Sequence, residues 1–144
     1  MIRPPTRLIE RAVMLDTSAV YALYAENDQW HARALEGLNR ISQENRPVYI
    51  TNLTVAETHA LMRARLGDEK AVEWLHELDL TNLILHAAED HKTVTDLLQR
   101  NLIRRFSYVD AFSCVAMERV GIRLVFTFDR AFQDYGWEVF PESL

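Results

Sequence analysis

Ala12-Val13-Met14-Leu15-Asp16-Thr17-Ser18-Ala19 decides how the rest of the chain is read. The apolar run from Ala12 to Leu15 is too short for a helix and stops abruptly at an acid. It reads as a buried strand. Thr17 or Ser18 is placed to cap a following helix over Ala19–Ala25. The same grammar returns near the other end of the chain. Arg123 to Phe128 is the strongest β-type run and halts at Asp129. A short helical turn with Phe132 follows, and Trp137–Phe140 makes a last strand.

Between these two strand–acid–helix units the same alternation continues. Asn27 and Asp28 open a helix through about Ile41, with Trp30, Ala34, Leu38 and Ile41 at helical spacing. Val48–Thr51 is a β-type run after the Arg46-Pro47 turn. Asn52 or Thr54 caps a helix over about Val55–Leu66, and Gly67 separates it from another that ends at Leu78. Leu83–His86 is a third apolar run, and Ala88–Asn101 is helical. Ser107 caps a helix over Tyr108–Val120, stopped by Gly121. Alternating strands and helices predict an α/β fold, a mostly parallel central sheet flanked by helices. The expected organisation is an irregular lead-in over residues 1–12, where Pro4 and Pro5 interrupt regular structure, and one domain over 13–144.

The acids share an address. Asp16 and Asp129 directly follow strands, while Glu57 and Asp110 are expected in the first turns of their helices, Glu57 at capping-box spacing from Thr54. In a parallel α/β sheet the carboxyl ends of the strands and the helix N-termini lie along one edge, where ligand sites form. Each acid also has a purely structural reading, as a helix cap or a turn former. Taken together, four acids at one sheet edge point to a pocket. Clustered carboxylates repel, so a cation or protonation must relieve them. Hard oxygen donors suit Mg²⁺, with Mn²⁺ as a substitute. Such ions polarise phosphoryl oxygens and generate hydroxide for in-line attack, which makes a phosphodiester the natural substrate. The hydroxyls of Ser18 and Thr127 are candidates to orient ligands or waters.

The motifs carry a family resemblance. Met14-Leu15-Asp16-Thr17-Ser18-Ala19, Thr54-Val55-Ala56-Glu57, Ser107-Tyr108-Val109-Asp110-Ala111 and Thr127-Phe128-Asp129-Arg130-Ala131-Phe132 resemble, in order, the four acidic motifs of PIN domains. Asp28-Gln29-Trp30-His31 is similar to a helix-start pattern common in that family. The compact length and the Thr-Phe-Asp-Arg ending most resemble VapC-type toxins of toxin–antitoxin pairs. The resemblance implies a PIN-like α/β/α sandwich and a Mg²⁺- or Mn²⁺-dependent ribonuclease. It also implies a homodimer, neutralised by a cognate antitoxin protein that inserts a C-terminal segment into the active-site groove. It makes Asp16, Asp110 and Asp129 metal ligands, direct or through water, with Glu57 binding metal or acting through a bound water. The expected products carry 5′-phosphate and 3′-hydroxyl ends. Thr58 and His59 depart from the more apolar residues expected after Glu57 and leave the acids intact.

The remaining composition sets limits. A net charge of −5 argues mildly against a nucleic-acid binder, but an acidic metal pocket would hold much of that charge. The single cysteine, Cys114, excludes an internal disulfide and reads as core filler. No apolar run approaches the roughly 20 residues of a membrane span, and the expectation is a soluble cytoplasmic protein. None of the five histidines has a metal or catalytic spacing. Arg104, Arg105 and Arg130 are candidates to meet RNA phosphates, while Arg63 and Arg65 are candidates to meet a partner. Tyr21, Tyr24 and Trp30 read as packing residues before base-stacking ones. A PIN fold without catalysis is the rival from the binding-module class. A response-regulator receiver would need adjacent acids after the first strand, and a haloacid-dehalogenase-type phosphatase would need two aspartates flanking one residue. Asp16-Thr17-Ser18 supplies neither.

Overall fold

A computed structural model describes residues 9–142. Five strands form one parallel sheet: β1 (Val13–Leu15), β2 (Val48–Thr51), β3 (Leu83–Ile84), β4 (Leu124–Phe126) and β5 (Glu138–Phe140), in the order β3-β2-β1-β4-β5. Val13 pairs with Val48 on one side and Leu124 on the other, and β4 continues to β5 with Val125 opposite Val139. The chain therefore builds outward from β1 to β3, then returns to place β4 on the opposite flank of β1. That reversal leaves a crevice between the carboxyl ends of β1 and β4, where a parallel sheet of this kind binds its ligands.

Seven α-helices lying wholly within the described residues cover the sheet: α1 (Thr17–Tyr24), α2 (His31–Gln43), α3 (Asn52–Leu66), α4 (Asp68–Glu77), α5 (Asp90–Arg100), α6 (Tyr108–Val120) and α7 (Arg130–Tyr135). The strand period of two divides the core. Val13, Leu124, Phe126 and Phe140 pack with Ala19, Ala22, Ala34 and Ile41 of α1 and α2. Met14 and Val125 pack on the other side with Val94 and Leu97 of α5 and the buried run Ala111–Met117 of α6. Gly37 brings α2 tight to the sheet, since a Cβ there would stand 2.9 Å from Phe126 Cζ. These layers are the α/β/α sandwich expected from the sequence.

Several element starts differ from expectation, each for a local reason. α1 begins at Thr17 because Asp16 itself caps it, accepting from the Ser18 N–H. α3 begins at Asn52 because Thr51, the last residue of β2, accepts from the Thr54 N–H. Glu57 consequently lies in the second turn of α3, and the Thr54–Glu57 capping box does not form. Asp28 does not open α2. Its Oδ2 accepts from the Trp30 N–H in a turn, and the helix starts at His31. β4 is the three residues Leu124–Phe126 rather than the longer run to Phe128, because Thr127 turns to hydrogen-bond within the crevice. Of the expected lead-in, residues 1–8 lie outside the described residues. Contrary to the expected irregular lead-in, Ile9 and Glu10 are helical, Ile9 accepts from the Ala12 N–H, and Ala12 is fully buried.

Candidate active site

Three of the four predicted acids come together at the β1–β4 crevice, each held by a helix start. Asp16 caps α1. Asp110 forms a capping box with Ser107 at the start of α6, each side chain accepting from the other's N–H at 3.0 and 3.1 Å. Asp129 caps α7, its Oδ1 accepting from the Ala131 N–H at 3.0 Å. The structural reading of these acids as caps is therefore realised, and the three carboxylates also feel one another's charge. Capping orients each carboxylate along its helix N-terminus, where the helix dipole favours negative charge.

A hydroxyl network ties β1 to β4. Asp16 Oδ2 accepts from Ser18 Oγ at 2.7 Å and from Thr127 Oγ1 at 2.8 Å. Ser18 Oγ in turn accepts from the Phe128 N–H, and Thr127 Oγ1 from the Asp129 N–H, both at 2.9 Å. Two hydroxyls separated by 109 positions thus fix one oxygen of Asp16 and the backbone of Asp129. Among the described residues, Asp16 Oδ1 and Asp129 Oδ2 take no protein hydrogen bond.

The electrostatics are those of like charges with no ion-paired counter-charge among the described residues. Asp16 is only 6% exposed, and burial pushes its carboxyl above the usual range. The hydrogen bonds from Ser18 and Thr127 oppose that rise, and the Asp129 charge adds to it. The Asp110 carboxyl is pushed up to about 7, first by burial and then by the Asp16 charge, with the Ser107 hydrogen bonds pulling it down. Among the described residues no Lys, Arg or His forms an ion pair with Asp16, Asp110 or Asp129. Nor are any three His, Cys, Asp or Glu side chains there already arranged as metal ligands. The donor chemistry nevertheless fits a hard divalent cation: coupled carboxylates, uncommitted oxygens on Asp16 and Asp129, and no ion-paired cation among the described residues.

Glu57 is half-buried in the second turn of α3. Its neighbour Thr58 donates to Thr17 Oγ1 at 3.0 Å, and Leu61, one turn on, lines a depression with Ser18 and Asp129. Glu57 therefore approaches the crevice from the α3 side.

Two open depressions flank Asp129. One, of about 560 Å³, is lined by Ile103, Arg104 and Arg105. The other, of about 410 Å³, is lined by Ser18, Trp30, Arg65, Phe128 and Arg130. The candidate RNA-contacting arginines thus lie on both sides of the acid. Arg104 is partly engaged, donating to Asn101 Oδ1 at 2.7 Å and to the Asp134 carbonyl at 3.3 Å. Arg63 instead pairs with Asp68. The sequence reading missed the parallel stack of Trp30 on Phe128, with ring centroids 5.1 Å apart and planes at 6°. Position beside a motif acid marks Phe128, but nothing in the sequence brings Trp30 to it. Cys114 is buried, takes a hydrogen bond from Trp137 Nε1 and has its thiol pushed up to about 12, as core packing demands.

Comparison with known proteins gives a consistent answer. Residues 13–138 match the family model described as the PIN domain. Over 134 residues the chain is 31% identical to the "23S rRNA-specific endonuclease VapC20" of two Mycobacterium tuberculosis strains, CDC 1551 / Oshkosh and H37Rv, covering 90% of this chain and 99% of that protein. The crystal structure of Mycobacterium tuberculosis VapC20, described as a sarcin-ricin loop cleaving toxin, superposes with a TM-score of 0.73 at 27% identity, covering 87% of this chain and 95% of that one.

Proposed function

The chain belongs to the PIN-domain family, and from that premise we propose that it is a Mg²⁺- or Mn²⁺-dependent endoribonuclease, the toxin of a toxin–antitoxin pair. One observation carries the chemistry. Asp16, Asp110 and Asp129 meet at the β1–β4 switch point, raised in pKa or coupled in charge, with no ion-paired Lys, Arg or His among the described residues. The similarity to an RNA endonuclease toxin supports the substrate class, and makes a structured ribosomal RNA segment the first substrate to try.

Asp16, Asp110 and Asp129 would hold the cation, with Glu57 joining directly or through a water. Bound there, a divalent ion supplies Lewis-acid polarisation of the phosphoryl group. The rest falls to the protein's own side chains. Ser18 and Thr127 hold Asp16 in one orientation by donating to Oδ2. The caps of α6 and α7 hold Asp110 and Asp129. Arg105 and Arg130 carry no carboxylate partner among the described residues and are free to meet phosphates on either side of Asp129, with Arg104 in support. Hydrolysis breaks the P–O3′ bond, leaving a 5′-phosphate and a 3′-hydroxyl.

The wider reading follows the family: a homodimer, restrained by a cognate antitoxin, working in the cytoplasm. No helix among the described residues is long and apolar enough to cross a membrane. The test is cleavage of labelled single-stranded and structured RNAs by the purified protein with Mn²⁺, Mg²⁺ or EDTA, followed by analysis of the product ends. The expected result is metal-dependent cleavage leaving 3′-hydroxyl ends. Products ending in 2′,3′-cyclic phosphate, or cleavage undiminished by EDTA, would overturn the mechanism.

A further inference from the structure

We propose that the depression between α1, the α1–α2 turn, α3 and the β4–α7 turn is a nucleobase pocket, which seats one unpaired base of the RNA beside the scissile phosphate. The inference rests on the ribonuclease reading and deepens it. The pocket shares Ser18 and Asp129 with the acidic centre, so anything held there lies next to the reacting group. Its volume of about 410 Å³ falls in the range of small-molecule sites.

Trp30 and Phe128 stack in parallel and pack against the core on one side, yet both remain half-buried and line the depression. Among the described residues the Trp30 indole N–H and the Tyr21 hydroxyl have no hydrogen-bond partner. Arg65 lies over the Tyr21 ring at 5.4 Å, and neither Arg65 nor Arg130 pairs with a carboxylate. Aromatic faces with unpaired guanidinium groups and free donors are the combination that holds a stacked base and its phosphate.

The stack is also fixed relative to the chemistry. Phe128 directly precedes Asp129, and its N–H donates to Ser18 Oγ, which donates to Asp16 Oδ2. Trp30 is held from the other side by its backbone N–H, which donates to Asp28 Oδ2 at 2.9 Å. A base seated against these rings would therefore place its phosphate at a set distance from Asp16. The pocket acts as a positioning and specificity element, and target choice depends on an RNA that can splay one base into it.

The test is fluorescence-anisotropy binding of a short single-stranded RNA in EDTA, with an abasic residue moved through each position in turn. The wild-type protein loses about 10- to 100-fold in affinity at one position only. Trp30→Leu loses a similar amount on the intact RNA and is indifferent to the abasic residue at that position. Trp30→Phe, which keeps a ring and guards against misfolding of the leucine variant, retains affinity within about threefold. Equal affinity of wild type and Trp30→Leu, or no single base-dependent position, would overturn the pocket even if Mn²⁺-dependent cleavage persists. Conversely, base-dependent binding without cleavage at any metal concentration would overturn the ribonuclease reading and leave the pocket standing.

Discussion

Two covered aspartates, Asp16 and Asp90, have their charges met in opposite ways. Asp90 is 2% exposed and Asp16 is 6% exposed, so covering alone does not distinguish them. Asp90 forms an ion pair with Arg119 and accepts from the Ala87 N–H at 2.8 Å, and Arg119 holds its carboxyl below the usual range. Asp16 receives hydroxyl and amide hydrogen bonds but no cation, and its carboxyl is raised. The fold completes the first site from its own side chains. It leaves the second short of positive charge, and the neighbours Asp110 and Asp129 deepen that shortage. On the proposed function, a carboxylate cluster kept in this state takes its cation from solution.

The largest expected effect breaks the comparison at Asp16. Asp16→Asn keeps an acceptor for Ser18 and Thr127 but removes the charge. RNA cleavage should fall on the order of a thousandfold or more, while melting without divalent metal is unchanged or higher. A parallel assay on Asp90→Asn should show the reverse, with cleavage retained and stability reduced by about 1–2 kcal/mol in urea titrations. The loss is limited because Arg119 is half-exposed and water replaces part of its partner. If both variants lose activity alike, the distinction between the two aspartates fails.

A subtler change sharpens the contrast by touching Asp16 only through a neighbour. Thr127→Val removes the hydroxyl that donates to Asp16 Oδ2 and accepts from the Asp129 N–H. Mn²⁺ affinity, read by calorimetry, should drop about tenfold, with the fold intact by circular dichroism.

The smallest effect concerns pH. The Asp110 carboxyl sits near 7 in the folded protein, against 3.8 for an unperturbed aspartate. The folded state therefore holds its proton more tightly than the unfolded chain does. That contribution to stability is complete below about pH 4 and is lost as pH rises through 7. Without metal, the melting temperature should be lower at pH 8 than at pH 5 by roughly 5 °C. Asp110→Asn should flatten that slope, and a wild-type slope of the opposite sign would refute the assignment.

Much of this was legible in the sequence because strand ends are legible. Short apolar runs stopping at Asp16 and Asp129, with Ser107 and Asp110 before a helical pattern, placed three acids at one edge of a parallel sheet. Helix starts were harder, since a cap is decided by backbone angles that residue type only biases. Thr51 read as the end of a strand and Asp28 as the start of a helix, yet Thr51 caps α3 and Asp28 closes a turn. Contacts distant in sequence left no local trace. Nothing in the chain's order tells that Ser18 meets Thr127, that Trp30 stacks on Phe128, or that Arg119 covers Asp90. The placement of Glu57 turned on the same register: one turn's error in the start of α3 moved it from the first turn to the second.

The central claim is that the acidic crevice lacks a cation that solution must supply, and Mn²⁺ binding to the purified protein at pH 8 tests it most directly. The account predicts saturable binding to the wild type and to Asp90→Asn, with a matching rise in melting temperature, and its loss in Asp16→Asn. Absence of binding to the wild type, or binding that Asp16→Asn leaves untouched, would contradict it.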